Sequence, residues 1–307
     1  MSAMLKPAPP LERQKYLGSG DAAAILGISP WRTPLDVYLD KVEPRVEQLT
    51  PERARVLRRG QRMEPYVIDV LSEETGLEIV ARGNRYLDPE HPFIASEIDA
   101  EACARGSSEI VNVEIKTVSP FKAREWGEEQ TDEIPLHYTA QVMHALMVTG
   151  RERCVMGVLI GGDDFRLYHV QRDDEAIMMI REREVSFWQQ VQRREAPPPT
   201  TVADIARLYG KSIGLAREAD DATAEAFERL VEVRKALKPL EAEKDELESR
   251  IKLFLAEADA LAIKGRPVLT WKSQDARRFD QSAFKAAHPE LFEQFVKVQS
   301  SRVLRIK

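Results

Sequence analysis

The run Ile110-Val111-Asn112-Val113-Glu114-Ile115-Lys116-Thr117-Val118 constrains the fold more than any other stretch of this 307-residue chain. Alternate residues of a strand share a face. Val111, Val113 and Ile115 therefore point into a core, and Asn112, Glu114 and Lys116 point the other way. Taken alone, Glu114 and Lys116 make a plain surface pair; set beside other charged groups, they make the wall of a site. Two more strands are read upstream, Glu78 to Tyr86 and Phe93 to Ala102, with Arg105-Gly106-Ser107-Ser108 as the turn into Ile110. A helix follows from Leu136 to Val148 and stops at Gly150, then a hairpin runs through Arg153–Ile160 and Phe165–Gln171 across Gly161-Gly162-Asp163-Asp164. Asp174 to Arg194 is an amphipathic helix. Before the strands, short helices are expected over Asp21–Leu26 and Pro34–Lys41. Two more, over Pro51–Arg59 and Pro65–Glu74, are separated at Gly60. The pattern is an α/β fold, a mixed central sheet flanked by helices, with a mainly helical C-terminal extension.

The Pro run Ala196-Pro197-Pro198-Pro199-Thr200-Thr201 reads as a stiff polar break, giving a first domain over 1–196. Residues 197–261 then form a linker and helical arm, either two helices or one kinked at Pro239. Residues 262–307 form a small basic α/β segment with strands at Arg266–Trp271 and Arg302–Ile306. Charge is uneven along the chain. Residues 1–63 hold 11 Lys+Arg against 7 Asp+Glu, residues 64–135 hold 6 against 17, and residues 264–307 hold 10 against 4. An acidic middle between basic flanks suits metal ions at a centre and phosphates at a rim. No run approaches the roughly 18 apolar residues of a membrane helix, and the N-terminus has no apolar signal core, so no membrane partner and a cytoplasmic setting are expected. Cys103 and Cys154 are too few for an all-cysteine metal site. His137 and His144 lie two helical turns apart, too far for one zinc ion. No glycine-rich nucleotide loop and no nucleophile elbow are present.

A hairpin between the second and third strands brings Asp99 beside Glu114. Two carboxylates that share a site repel unless a cation joins them. Mg²⁺ is a hard ion that takes one or two protein carboxylates plus substrate phosphate. Asp, then Glu-x-Lys on the adjacent strand, is the constellation of the PD-(D/E)XK nucleases. Further motifs stand around it in order: Leu17-Gly18-Ser19-Gly20-Asp21, Ser29-Pro30-Trp31-Arg32-Thr33-Pro34, Arg59-Gly60-Gln61-Arg62-Met63-Glu64-Pro65 and Leu136-His137-Tyr138-Thr139-Ala140-Gln141.

As a set these motifs resemble the YqaJ family of viral recombinases, related to the lambda-type phage alkaline exonucleases, over roughly residues 11–195. The resemblance implies a metal-dependent 5′→3′ exonuclease with a PD-(D/E)XK core. It would resect linear double-stranded DNA ends for recombination by a single-strand annealing partner. It also implies a homo-oligomer, a ring with a trimer as one form. Mg²⁺, with Mn²⁺ as an alternative, would be held by Asp99, Glu114 and the Ile115 carbonyl, supported by Glu64 at the mouth of its helix. Lys116 would handle the nucleophilic water and Gln141 would line the site beside it, with Tyr138 a weaker candidate. Arg13 stands where the family's 5′-phosphate arginine does. One motif departs: Gly20 occupies the family's serine position, and Ser19 comes one place earlier. A glycine still offers its backbone N–H to phosphate. The basic run Arg53, Arg55, Arg58, Arg59 and Arg62, next to Glu64, fits a backbone-phosphate track. The alternatives are an endonuclease of restriction or repair type on the same fold and a catalytically inactive module that binds DNA ends or a partner.

Overall fold

The computed structural model describes residues 4–5, 10–43, 50–296 and 301–306. It divides into two compact units, Met1–Leu208 and Tyr209–Lys307. The first unit holds strands β1 (Met4–Leu5), β2 (Leu17–Gly18), β3 (Glu78–Leu87), β4 (Ile94–Cys103), β5 (Ile110–Val118), β6 (Arg153–Ile160) and β7 (Asp164–Gln171). Its helices are α1 (Ser19–Ile25), α2 (Pro34–Val42), α3 (Pro51–Thr75), α4 (Leu136–Thr149), α5 (Asp174–Arg193) and α6 (Val202–Leu208). One mixed sheet runs in the order β1-β3-β4-β5-β6-β7, and β2 pairs with β4 off that path. The β5–β6 and β2–β4 pairs are parallel and the other pairs antiparallel. Parallel neighbours need a crossover, and α4 supplies the one between β5 and β6.

Both faces of the sheet are covered. On one, Val67, Ile68 and Leu71 of α3 pack on Ala100, Val113, Ile115 and Leu159. On the other, Val142 and Leu146 of α4 and Ile177 and Ile180 of α5 pack on Met156, Val158 and Tyr168. A third cluster joins Leu17, Leu35 and Val37 to Phe187. Each such aliphatic side chain contributes roughly 1.5–3 kcal/mol by leaving water.

The expected break at Gly60 does not occur: α3 is one 25-residue helix with Pro65 inside it. Thr50 caps its start, Pro51 sits in the first turn, and Gly76 ends it at φ 66°. A glycine costs a helix only about 1 kcal/mol, and the carbonyl that Pro65 leaves without its helical donor belongs to exposed Gln61, where water can serve it. Glu64 is therefore a mid-helix residue and not at a helix mouth. The Pro197–Pro199 run lies inside the first unit. The helix after it, α6, is tied back through Asp204 Oδ1, which accepts from Thr33 Oγ1 at 2.9 Å, and through an Arg207–Asp36 ion pair.

The second unit contains α7 (Asp221–Leu255), β8 (Ala260–Ile263), β9 (Arg266–Thr270), α8 (Gln281–Ala287) and α9 (Pro289–Phe295). Strands β8 and β9 form a hairpin through Lys264 and Gly265, both at positive φ as a tight two-residue turn requires. Helix α7 runs unbroken through Pro239. Residues 302–306 take no strand conformation and pair with no strand among the described residues. No helix among the described residues is long and apolar enough to cross a membrane.

Candidate active site

The site arises where the sheet comes apart. Pairing of β4 with β5 runs from Cys103↔Ile110 to Ala100↔Val113 and stops there. Strand β2 takes up the same edge of β4 only at Ala95 and Ile94. Residues 96–99 of β4 thus border a gap between two partners. The next pair in register would be Asp99 with Glu114, and here the strands diverge. In place of a ladder bond, the Ile115 N–H donates to Asp99 Oδ2 at 2.8 Å. In a strand, N–H and C=O of one residue point to the same side. The Ile115 carbonyl therefore faces the same opening.

Glu114 is buried, and its Oε1 accepts from Gln141 Nε2 at 2.6 Å and from Lys116 Nζ. Strand alternation sets Glu114 and Lys116 on the α4 face, and Gln141 reaches them from α4's second turn. Tyr138, one turn earlier, places its ring 5.3 Å from Lys116 Nζ and stacks on buried Trp126. Glu64 comes from α3. Burial, Glu114 and Glu97 raise its pKa against the pull of Lys116. Asp99 is pushed much further, to about 8, by burial and then by Glu114 and Glu64, with Lys116 and the Ile115 N–H opposing. Burial works against the charge on Lys116, but Glu114 and Asp99 outweigh it and hold its pKa above the ordinary value.

These features fit a divalent cation. Among the described residues no three or more His, Cys, Asp or Glu are gathered to hold an ion by themselves. Mg²⁺ does not require that, since it takes one or two carboxylates and fills its octahedron with other oxygens. Asp99, Glu114 and the Ile115 carbonyl offer oxygen donors of the kind such an ion takes. Burial first, and then the neighbouring Glu114, raise the Asp99 pKa, as expected where two carboxylates share a buried site.

A cavity of about 720 Å³ runs from Asp99 and Gln141 to the N-terminal segment. Arg13, Ser19 and Gly20 line it, as do Arg53 and Leu57 of α3. Arg59 and Arg62 are exposed and do not line it, being on the far side of α3 from the stripe Arg53-Leu57-Glu64. No local sequence pattern marks the clamp at the cavity's other end. Asp21 bonds Lys41 at 2.9 Å and Arg32 at 2.8 Å, and accepts from the Gly18 N–H at 3.2 Å. Lys41 also donates to the Arg13 and Tyr16 carbonyls, fixing the segment that carries Arg13. His144 holds the Ala95 carbonyl at 2.9 Å and Glu184 at 2.7 Å, in a fully buried bridge behind the site.

Fold and cluster together define an α/β domain with a carboxylate–lysine site at an opening in its sheet. A family model, the YqaJ-like viral recombinase domain, matches residues 11–152. A protein of Bacillus subtilis (strain 168), "Uncharacterized protein YqaJ", is 30% identical over 306 residues, spanning 97% of this chain and 92% of that relative. The chain belongs to the YqaJ family. Among solved structures, an alkaline exonuclease from Laribacter hongkongensis is similar at a TM-score of 0.47 and 14% identity, over 60% of this chain and 92% of that one. The same enzyme in complex with dAMP gives 0.46 and 15%, over 60% and 91%.

Proposed function

We propose that the first unit is a Mg²⁺-dependent deoxyribonuclease that resects linear double-stranded DNA from its 5′ ends, leaving a 3′ strand for an annealing protein. The observation that carries this reading is the parting of β4 from β5 at Ala100↔Val113, which sets Asp99 and Glu114 side by side with Lys116 above them. Membership of a recombinase family supports it.

Asp99, Glu114 and the Ile115 carbonyl would hold Mg²⁺, or Mn²⁺ in its place. Bound there, the ion supplies Lewis-acid polarisation of the scissile phosphate and activation of the attacking water. Lys116 keeps its proton beside two carboxylates, so it acts as a donor that orients the water or meets negative charge growing on phosphate oxygen. Gln141 fixes the Glu114 carboxylate through its 2.6 Å bond. Glu64 adds negative charge from α3. Arg13, with Ser19 and the Gly20 backbone, receives the terminal phosphate at the other end of the cavity. Arg59 and Arg62, facing solvent, serve duplex retention and not chemistry.

The test is digestion of linear duplex labelled separately at its 5′ and 3′ ends, beside covalently closed circles, with Mg²⁺ and with EDTA. The expected result is early loss of the 5′ label, intact circles and no reaction in EDTA. Nicked or linearised circles would establish the endonuclease alternative instead, and activity undiminished by EDTA would end the metal reading.

A further inference from the structure

Trp31 is the outer end of a row of rings that runs from the surface into the core. It meets His137 edge-on at 4.7 Å, and His137 lies 4.2 Å from Tyr138. Tyr138 stacks on Trp126 at 5.3 Å, and Trp126 reaches buried Tyr168 at 5.4 Å. The inner rings are anchored by packing, whereas Trp31 is 57% exposed. Its backbone is nevertheless held on both sides. The Ser29 hydroxyl accepts from the Trp31 and Arg32 N–H groups, each at 3.3 Å. Arg32 is tied to Asp21 and Asp40, and Thr33 caps α2. A large aromatic fixed in place but left in water, beside a site, is a surface for a ligand.

The surroundings select the ligand. Burial lowers the His137 pKa, so its imidazole is a neutral ring. Lys116 Nζ lies 5.3 Å from the Tyr138 ring. Lys122, paired with Glu125 in the 3₁₀ turn Pro120–Glu125, is close enough to act on both His137 and Tyr138. Arg32, next in sequence to Trp31, lines the cavity that holds Asp99 and Gln141. Uncharged rings flanked by cations, and continuous with a carboxylate–lysine site, match a flat heterocycle carried on an anionic backbone.

We infer that Trp31, backed by His137, is a ledge on which the base of a nucleotide beside the scissile phosphate stacks. The inference rests on the nuclease reading of the neighbouring site. Stacking on an aromatic ring accepts every base, because each has a π face, so the ledge holds the strand without reading its sequence. A contact made alike before and during hydrolysis lowers KM and leaves kcat unchanged.

Two measurements test the ledge. In the first, duplexes carrying 5-iodouracil at the terminal or the next position of the 5′-ended strand are irradiated with the parent in Ca²⁺, and the adduct is mapped by peptide mass. This base cross-links to an aromatic ring on which it stacks. An adduct on Trp31 or His137 is expected; adducts confined to other residues, or none, overturn the ledge. In the second, end-label release in Mg²⁺ should show KM raised about tenfold in Trp31→Ala at close to parental kcat. Trp31→Phe should largely restore it, and Trp31→Leu, which keeps apolar bulk without a π face, should not. A parental KM in Trp31→Ala, or full rescue by Trp31→Leu, overturns the ledge. Because Trp31 is exposed, the variants should unfold at the parental temperature, and a lowered value would make the ring structural. A parent that digests no DNA fails the nuclease reading instead, and the adduct then decides the ledge by itself.

Discussion

Asp21 and Asp99 line the two ends of one cavity and are treated in opposite ways. Burial pushes the Asp21 pKa up, but Lys41 and Arg32 outweigh it and leave the value at about 2. At Asp99 burial acts in the same sense, and here Glu114 adds to it; Lys116 and the Ile115 N–H oppose without outweighing them, and the value rises to about 8. The chain completes the charge of the first aspartate from its own side chains. At the second it supplies one lysine for three carboxylates. A buried acid whose counter-charge comes from the chain forms a structural pair; a buried acid short of counter-charge is a candidate to bind a cation.

The comparison is broken most strongly at the Asp99 end. Asp99→Asn keeps an acceptor for the Ile115 N–H but removes the charge. Hydrolysis of linear DNA in Mg²⁺ should fall by about 10²–10³-fold, and Lys116→Ala should cost at least about 10²-fold. Initial rates of end-label release measure both, and parental rates in either variant would reduce Glu114-Ile115-Lys116 to a surface pair.

At the other end, Asp21→Asn strands Lys41 and Arg32 beside a neutral group. A broken buried pair costs about 3 kcal/mol or more. Urea unfolding should show that loss for Asp21→Asn, whereas metal-free Asp99→Asn at pH 8 should be at least as stable as the parent. Loss of stability in both would mean that the two acids play one role.

The same contrast has a pH signature. The folded pKa of Asp99 lies above its unfolded value of about 4. Its contribution to metal-free stability is fully present below about pH 4 and is lost as pH rises through about 8. The folded pKa of Asp21 is lowered, so its contribution is present above about pH 4 and lost as pH falls through about 2. In EDTA, the difference in unfolding free energy between parent and Asp99→Asn should therefore change between pH 4 and 8 and stay flat below pH 4.

The smallest effect is expected at Arg13, whose backbone is fixed by Lys41. Arg13→Ala removes one charge-assisted contact, worth about tenfold, from 5′-phosphorylated ends and little from 5′-hydroxyl ends. An equal loss on both substrates would make Arg13 structural only.

Much of the Asp99 end is legible in the sequence, and little of the Asp21 end. Strand alternation places Glu114 and Lys116 on one face, and a short hairpin brings Asp99 to them, so local periodicity suffices. Strand β5 lies at Ile110–Val118 as its pattern predicts. The clamp on Asp21 joins residues 11 and 20 positions away, on a loop and a second helix, and no local pattern carries it. Asp21 sits at the expected start of a helix but is not its cap: Gly18 is, and Asp21, the third residue of α1, accepts from the Gly18 N–H. The continuity of α3 was hidden because Gly60 and Pro65 are local breakers, while Val67, Ile68 and Leu71 on the sheet hold the helix together. Strand β2 has only two residues and exists because the edge of β4 is open there. Helix α6 lies beyond a Pro run and is recruited by Thr33 and Asp36, both far away in sequence.

The central claim is that Asp99 and Glu114 await a divalent cation. Thermal unfolding at pH 8 across a Mg²⁺ titration tests it most directly, using the parent, Asp99→Asn and Glu114→Gln. The unfolding temperature of the parent should climb with Mg²⁺ as binding to the folded state requires, with little response in either variant. An equal climb in all three proteins, or none in the parent, would contradict the account.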